Sequence, residues 1–66
     1  MNKSPQPKQV EIEVRIVSAT DKALLVSDGK REAWIPRSQI TDYCEENGQI
    51  TSIFISQWLA ETKGLV

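Results

Sequence analysis

Between residues 10 and 16 apolar and charged side chains alternate. Val10, Ile12, Val14 and Ile16 fall on one side, and Glu11, Glu13 and Arg15 on the other. A period of two puts one set in a core and the other in water, the pattern of a strand with one buried and one wet face. In a chain of 66 residues that strand needs partners close by, because a domain this small buries little surface and has a marginal core. The single cysteine leaves no internal disulfide to staple it. The remaining segments must therefore supply strands that cover the same face.

Thr20-Asp21 reads as a turn, and Ala23-Leu-Leu-Val26 as a second strand, apolar on both faces and so central or covered. Asp28-Gly29 signals a hairpin into a third strand, Glu32-Ala-Trp-Ile35, stopped by Pro36. Two loop lengths fit. A two-residue loop opposes Leu25 to Glu32 and Val26 to Arg31. A four-residue loop over 28–31 pairs Val26 with Ala33, Leu25 with Trp34 and Leu24 with Ile35. Apolar cross-strand pairs stabilise by up to about 1 kcal/mol each and favour the longer loop, whereas turn chemistry favours the tighter one.

Residues 37–40 form one helical turn that tucks Ile40 inward. Residues 41–47 read as a short edge strand or a loop, and Asn47-Gly48 as a turn. Residues 50–55 alternate again, with Thr51, Ile53 and Ile55 against Ser52 and Phe54. Ser56 is a good N-cap for a helix over 57–63 with Ile55, Trp58, Leu59 and Thr62 on one face. Gly64 fits the stop, after which Leu65 and Val66 fold back onto the core. The expected fold is mainly β, a β-rich α+β domain. It is a small curled antiparallel sheet or partial barrel, SH3-like or OB-like, with one C-terminal helix plugging an open end or face.

Residues 1–8, with Pro5 and Pro7 and no apolar anchor, are read as a disordered tail ahead of a single domain over 9–66. The split matters for charge. The whole chain stands at −1, but the tail takes Lys3 and Lys8 with it. Residues 9–66 keep six bases against nine acids, about −3. The N-terminus has no apolar run of a secretory signal, and no stretch approaches the ~20 apolar residues of a membrane span. With a lone thiol, the cytoplasm of a bacterial host is the expected compartment. The absence of histidine rules out a His triad, an imidazole base and a His zinc site. No metal, cofactor or enzymatic activity is expected.

Lys22-Ala-Leu-Leu-Val26, Asp28-Gly29, Trp34-Ile-Pro-Arg-Ser-Gln-Ile40 and Trp58-Leu-Ala-Glu-Thr-Lys-Gly-Leu65 carry a resemblance. The chain resembles small uncharacterised proteins of phages, prophages and bacterial mobile elements that share a W-I-P-K-S-Q-I … W-L-A-x-x-K-G-L pattern. The similarity runs from Val10 to the end, with Arg37 where the pattern has Lys. It implies an origin in a mobile element and no particular chemistry.

Trp34 and Trp58 are expected to fill the core, and the alternative is a stacking platform for bases. Within residues 36–40, Ser38 and Gln39 bond local backbone while Arg37 and Gln39 are candidate recognition side chains. Asp42, Glu45 and Glu46 around Tyr43 and Cys44 form the sharpest local feature. They read as a solvated edge or as an acidic patch for a basic partner, extended by Glu11, Glu13 and Glu32 where their wet faces agree. Cys44 reads as a small, partly buried residue. The expected function is a non-catalytic protein–protein interaction module. Its partner is a host protein or nucleoprotein complex, and it acts as an inhibitor or modulator of a host nucleic-acid machine, anti-CRISPR-like or anti-restriction-like. The first alternative is a small single-stranded nucleic-acid-binding barrel using Trp34 or Trp58 with Arg15, Lys30, Arg31 and Arg37. The second is a homodimeric structural adaptor.

Overall fold

The computed structural model describes residues 8–65 of the chain. Its elements run β1 (Gln9–Glu13), β2 (Arg15–Ala19), β3 (Ala23–Ser27), β4 (Glu32–Pro36), a 3₁₀ turn (Arg37–Gln39), β5 (Asp42–Glu46), β6 (Gln49–Ser56) and α1 (Gln57–Thr62). The strands make two three-stranded antiparallel sheets, β1-β6-β5 and β2-β3-β4, that do not close into a barrel. The mainly β domain with one C-terminal helix is therefore present. The tail expected over 1–8 and the fold-back of Val66 lie outside the described residues, except at Lys8. There the carbonyl of Lys8 accepts from the Gln57 N–H at 2.7 Å, so Lys8 is tied to the domain and not part of a free tail.

The alternating run at 10–16 is two strands, not one. It breaks at Val14, whose N–H still donates to the Thr51 carbonyl (3.1 Å). Before that point β1 pairs with β6, and after it β2 pairs with β3. The alternation survives the change of sheet because both sheets bury the same side of the chain. Ile12 and Val14 are buried and Val10 and Ile16 pack against the core. The two inner faces meet in a cluster that includes Leu24, Val26 and Ile35 from one sheet and Ile12, Ile53 and Ile55 from the other. Leu59, Ala60 and Leu65 close one side of it.

The β3–β4 hairpin adopts the longer loop, with Val26 opposite Ala33, Leu25 opposite Trp34 and Leu24 opposite Ile35. Turn chemistry yields because Asp28 builds a different turn. Its Oδ1 accepts from the N–H groups of Lys30 and Arg31, both at 2.8 Å, and its own N–H donates to the Arg31 carbonyl (3.1 Å). The side chain thereby satisfies loop donors that a tight turn leaves to the ladder. β5 and β6 do use the tight form. Asn47 and Gly48 both have positive φ (54° and 81°), as a two-residue hairpin turn of the twist-matched type requires.

The helix starts where expected and faces elsewhere. Ser56 Oγ accepts from the Leu59 N–H at 3.1 Å. At the other end the Leu65 N–H reaches the Ala60 carbonyl (2.8 Å) and the Gly64 N–H the Glu61 carbonyl (3.1 Å). That paired closure needs Gly64 at φ 75°. It also brings Leu65 back into the core, as the sequence indicates. Leu59 and Ala60 point inward, whereas Trp58 is 71 % exposed. The helical spacing that grouped Trp58 with Ile55 fails because Ile55 belongs to β6 and does not share the helix phase. Trp34 is also outside the core, 44 % exposed, because β4 turns Ala33 and Ile35 inward. Neither tryptophan fills the core. Among the described residues no helix is long and apolar enough to cross a membrane.

Removing the cap hydroxyl with Ser56→Ala lowers stability by about 1 kcal/mol, and Gly64→Ala by a similar amount, about 1 kcal/mol, since the residue must keep positive φ. A Cβ at position 64 would also meet Arg31 Cδ at 3.3 Å. In a chain of this size each change lowers Tm by about 4–8 °C in thermal unfolding followed by circular dichroism. The loop hydrogen bonds from Lys30 and Arg31 hold the Asp28 carboxyl below its ordinary value of 3.8. Its stabilisation is thus fully present above that value and fades as pH falls through the lowered folded one. The Tm difference between wild type and Asp28→Ala should accordingly be constant near neutrality and shrink at acid pH.

Candidate functional site

On the first sheet the pairing Glu11–Phe54–Asp42 lies beside the pairing Glu13–Ser52–Cys44. These residues share the face turned away from the core, while Ile12, Ile53 and Ile55 take the other. Where this face meets the start of β2 and the 28–31 loop lies a cleft of about 640 Å³ lined by Glu11, Glu13, Asp28 and Glu46, with Arg15 as its base. The period-two geometry of β1 places Glu11 and Glu13 together, and the hairpin returns Glu46 to the same face.

The carboxylates differ in what holds them. Glu11 Oε2 accepts from Ser52 Oγ at 2.6 Å and from Cys44 Sγ at 3.7 Å. Ser52 is buried, so its hydroxyl is satisfied by a carboxylate that stands over it. Asp28 spends its oxygens on the loop, as described. Glu13 and Glu46 form no side-chain hydrogen bond among the described residues. They remain the two carboxylates free to meet a partner. Cys44 is exposed, not partly buried as its size suggested. Among the described residues no group of three or more His, Cys, Asp or Glu side chains is arranged to hold a metal ion.

The acidic residues picked out in the sequence do not form one patch. Glu11, Glu13, Asp42 and Glu46 share the outer face of the first sheet, with Asp42 Oδ1 accepting from the Tyr43 N–H (2.8 Å). Glu45 is separated from them because the alternation of β5 turns it to the opposite face. A register shift between Cys44 and Glu45 makes Ile50 the partner of Glu45 and leaves Thr51 as the extra residue. Glu45 lines a different cleft, of about 510 Å³, with Arg15, Ile16 and Ile50. Glu32 lies on the second sheet, opposite Ser27, which in turn pairs with Arg15. Asp28 and Ser52 were missed. Asp28 read as turn chemistry alone. The hint at Ser52 was a small polar residue beside Ile53, Phe54 and Ile55.

The bases are scattered too. Arg15 and Trp34 occupy the outer face of the second sheet in successive rows of that face, with Glu32 in the row of Arg15 and next to Trp34 along that face of β4. Lys30 and Arg31 sit in the 28–31 loop, and the Arg31 side chain lies against Gly64 at the end of α1. Arg37 is tied down by its Nε, which donates to the Thr20 carbonyl at 3.0 Å.

No family model, curated protein or solved structure matches the chain.

The outward placement of both indoles has a direct readout. Trp58→Ala should change stability by less than about 0.5 kcal/mol, against about 3–5 kcal/mol for a tryptophan that fills a core. In acrylamide quenching, the variant retaining only Trp58 should be quenched more strongly than the one retaining only Trp34.

Proposed function

We propose that this chain is a non-catalytic binding module that presents its acidic cleft to a basic surface of a host protein or nucleoprotein complex. The observation that carries this reading is the pair of unengaged carboxylates, Glu13 and Glu46, in the cleft that Glu11 and Asp28 also line. Fixed like charges on a rigid sheet steer a basic partner and reject an acidic one. Ser52 is buried under Glu11 and the chain has no histidine, which supports binding over catalysis. With the resemblance to mobile-element proteins, the partner is best read as a nucleic-acid machine whose basic channel the acidic face occupies. The chain then acts as an inhibitor of the anti-CRISPR or anti-restriction kind. That last step is an analogy of size and charge.

A tagged chain should retain a basic nucleic-acid-binding protein from bacterial lysate, and heparin, which competes for a basic channel, should release it. The double variant Glu13→Lys/Glu46→Lys should lose that protein while keeping its Tm. The variant Glu32→Lys/Glu45→Lys, which leaves the cleft intact, should retain it. Unchanged retention by the Glu13→Lys/Glu46→Lys variant would sink the acidic-cleft reading.

The outward tryptophans favour a second reading, a binder of single-stranded nucleic acid. Trp34 with Arg15 on the second sheet gives one stacking side chain and one phosphate contact, though Glu32 shares the row of Arg15 on the same face. A salt-dependent quenching of Trp34 fluorescence by oligonucleotides, lost in Arg15→Glu, would support it.

A further inference from the structure

The open seam of the fold holds a pocket. β4 ends at Pro36 and β5 begins at Asp42, joined through the 3₁₀ turn and not by strand pairing. Between the sheets at that point lies a cavity of about 220 Å³. Buried Leu24 and Ile53 line its inner side, half-buried Ile40 and Ile50 its walls, and exposed Arg37 and Tyr43 its mouth. The sequence indicates that Ile40 turns inward, and the sheets leave space beside it.

We propose that this seam pocket binds a branched aliphatic carboxylate. Its hydrocarbon packs against the four aliphatic side chains and its carboxylate meets Arg37. The volume is below the roughly 300–1,000 Å³ of sites for drug-sized ligands, which suits one branched aliphatic group and its head. The inner side and walls are aliphatic, and the polar groups of the lining, Arg37 and Tyr43, stand only at the mouth. The charge at the mouth is positive and prepared. The bond from Arg37 Nε to the Thr20 carbonyl (3.0 Å) orients the guanidinium. Arg37 makes no ion pair among the described residues. Its terminal amino groups are left for an anion, and a planar fork matched to a carboxylate outperforms a point charge. The carboxylate can come from a free short-chain acid or from the C-terminus of a peptide ending in Leu, because both offer the same group on the same skeleton.

The pocket is separate from the acidic cleft. Tyr43 pairs with Ile53 on the inward side of the first sheet, whereas Cys44 pairs with Ser52 on the outward side. Failure of one site therefore says nothing about the other.

The test is an amide-resolved NMR titration of the full chain with 4-methylpentanoate, 4-methylpentanamide, acetyl-Gly-Leu and acetyl-Gly-Leu-amide. Saturable shifts are expected at Ile40, Ile50 and Ile53 with at least one acid, and about tenfold weaker binding for the matching amide. Binding by the free acid alone identifies a metabolite-sized ligand. Binding by the peptide alone identifies a chain terminus, and binding by both leaves the shared chemistry as the determinant. Arg37→Gln should weaken the acids to the level of their amides. Ile40→Phe, which keeps Arg37 and fills the cavity, should abolish the shifts. Since Arg37→Gln also breaks the Thr20 contact, the acid–amide comparison on the wild-type chain stands without it. Equal affinity for acid and amide, persistence of the shifts in Ile40→Phe, or no seam response to either acid would each overturn the proposal.

Discussion

Everything in this fold depends on burying aliphatic side chains between two small sheets without an aromatic ring. The buried apolar cluster consists of Ile, Val, Leu and Ala, and Trp34, Tyr43 and Trp58 stand exposed. β-Branched residues suit this arrangement, because their stiff side chains pack on a pleated surface at little entropic cost. The margin is thin. A chain of this length has a stability of about 3–10 kcal/mol at 0.05–0.15 kcal/mol per residue, and truncating one buried Ile to Ala costs about 2–5 kcal/mol. Ile35, Ile53 and Ile55 are fully buried, so each carries a large fraction of the whole.

A core so small cannot by itself select one strand register, and local chemistry supplies the selection. Asp28 holds the 28–31 loop at the length that opposes apolar to apolar across β3 and β4. Asn47 and Gly48 impose a tight turn on β5 and β6. A slip of one residue would turn a whole strand's core set to water. The same turns place the site, since Asp28 reaches the cleft from the loop and Glu46 from the strand beside the tight turn. Stability and surface chemistry are coupled at these residues.

The longer of the two β3–β4 loops the sequence offered, the turn at Asn47-Gly48, the helical turn at Ile40, the Ser56 cap and the Gly64 stop were legible because each is written in a few adjacent residues. The change of sheet at Val14 was not, since alternation reports which face is buried and not which strand lies alongside. The tryptophans misled for a related reason. Side-chain size suggests a core, but Trp34 follows the parity of Ala33 and Ile35, and Trp58 follows a helix phase that begins after Ile55. Of the site, the outward run of Glu11 and Glu13 was legible. The separation of Glu45 from Glu46 follows from the alternation of β5 itself, whereas the extra residue on β6 that sets Ile50 opposite Glu45 was not legible.

Alternation gives β5 two unlike sides. Toward the outer face, Asp42 and Glu46 join Glu11 and Glu13, and Cys44 shares the Glu11 carboxylate with Ser52. Toward the seam, Tyr43 stands beside Ile50 and Ile53, with Arg37 across the gap. An ordinary alternating strand would have carried Glu45 and Thr51 in a simple register. With Thr51 displaced, Ile50 takes the place opposite Glu45 on the seam side of the sheet, beside the aliphatic pocket, and Glu45 lines the separate cleft near Arg15. The acidic outer surface thus follows from the alternation of β1 and β5, and the aliphatic wall that Ile50 gives the seam follows from one irregularity in an eight-residue strand. A core without rings in turn leaves the larger side chains to the surface, where a chain this short does its recognition.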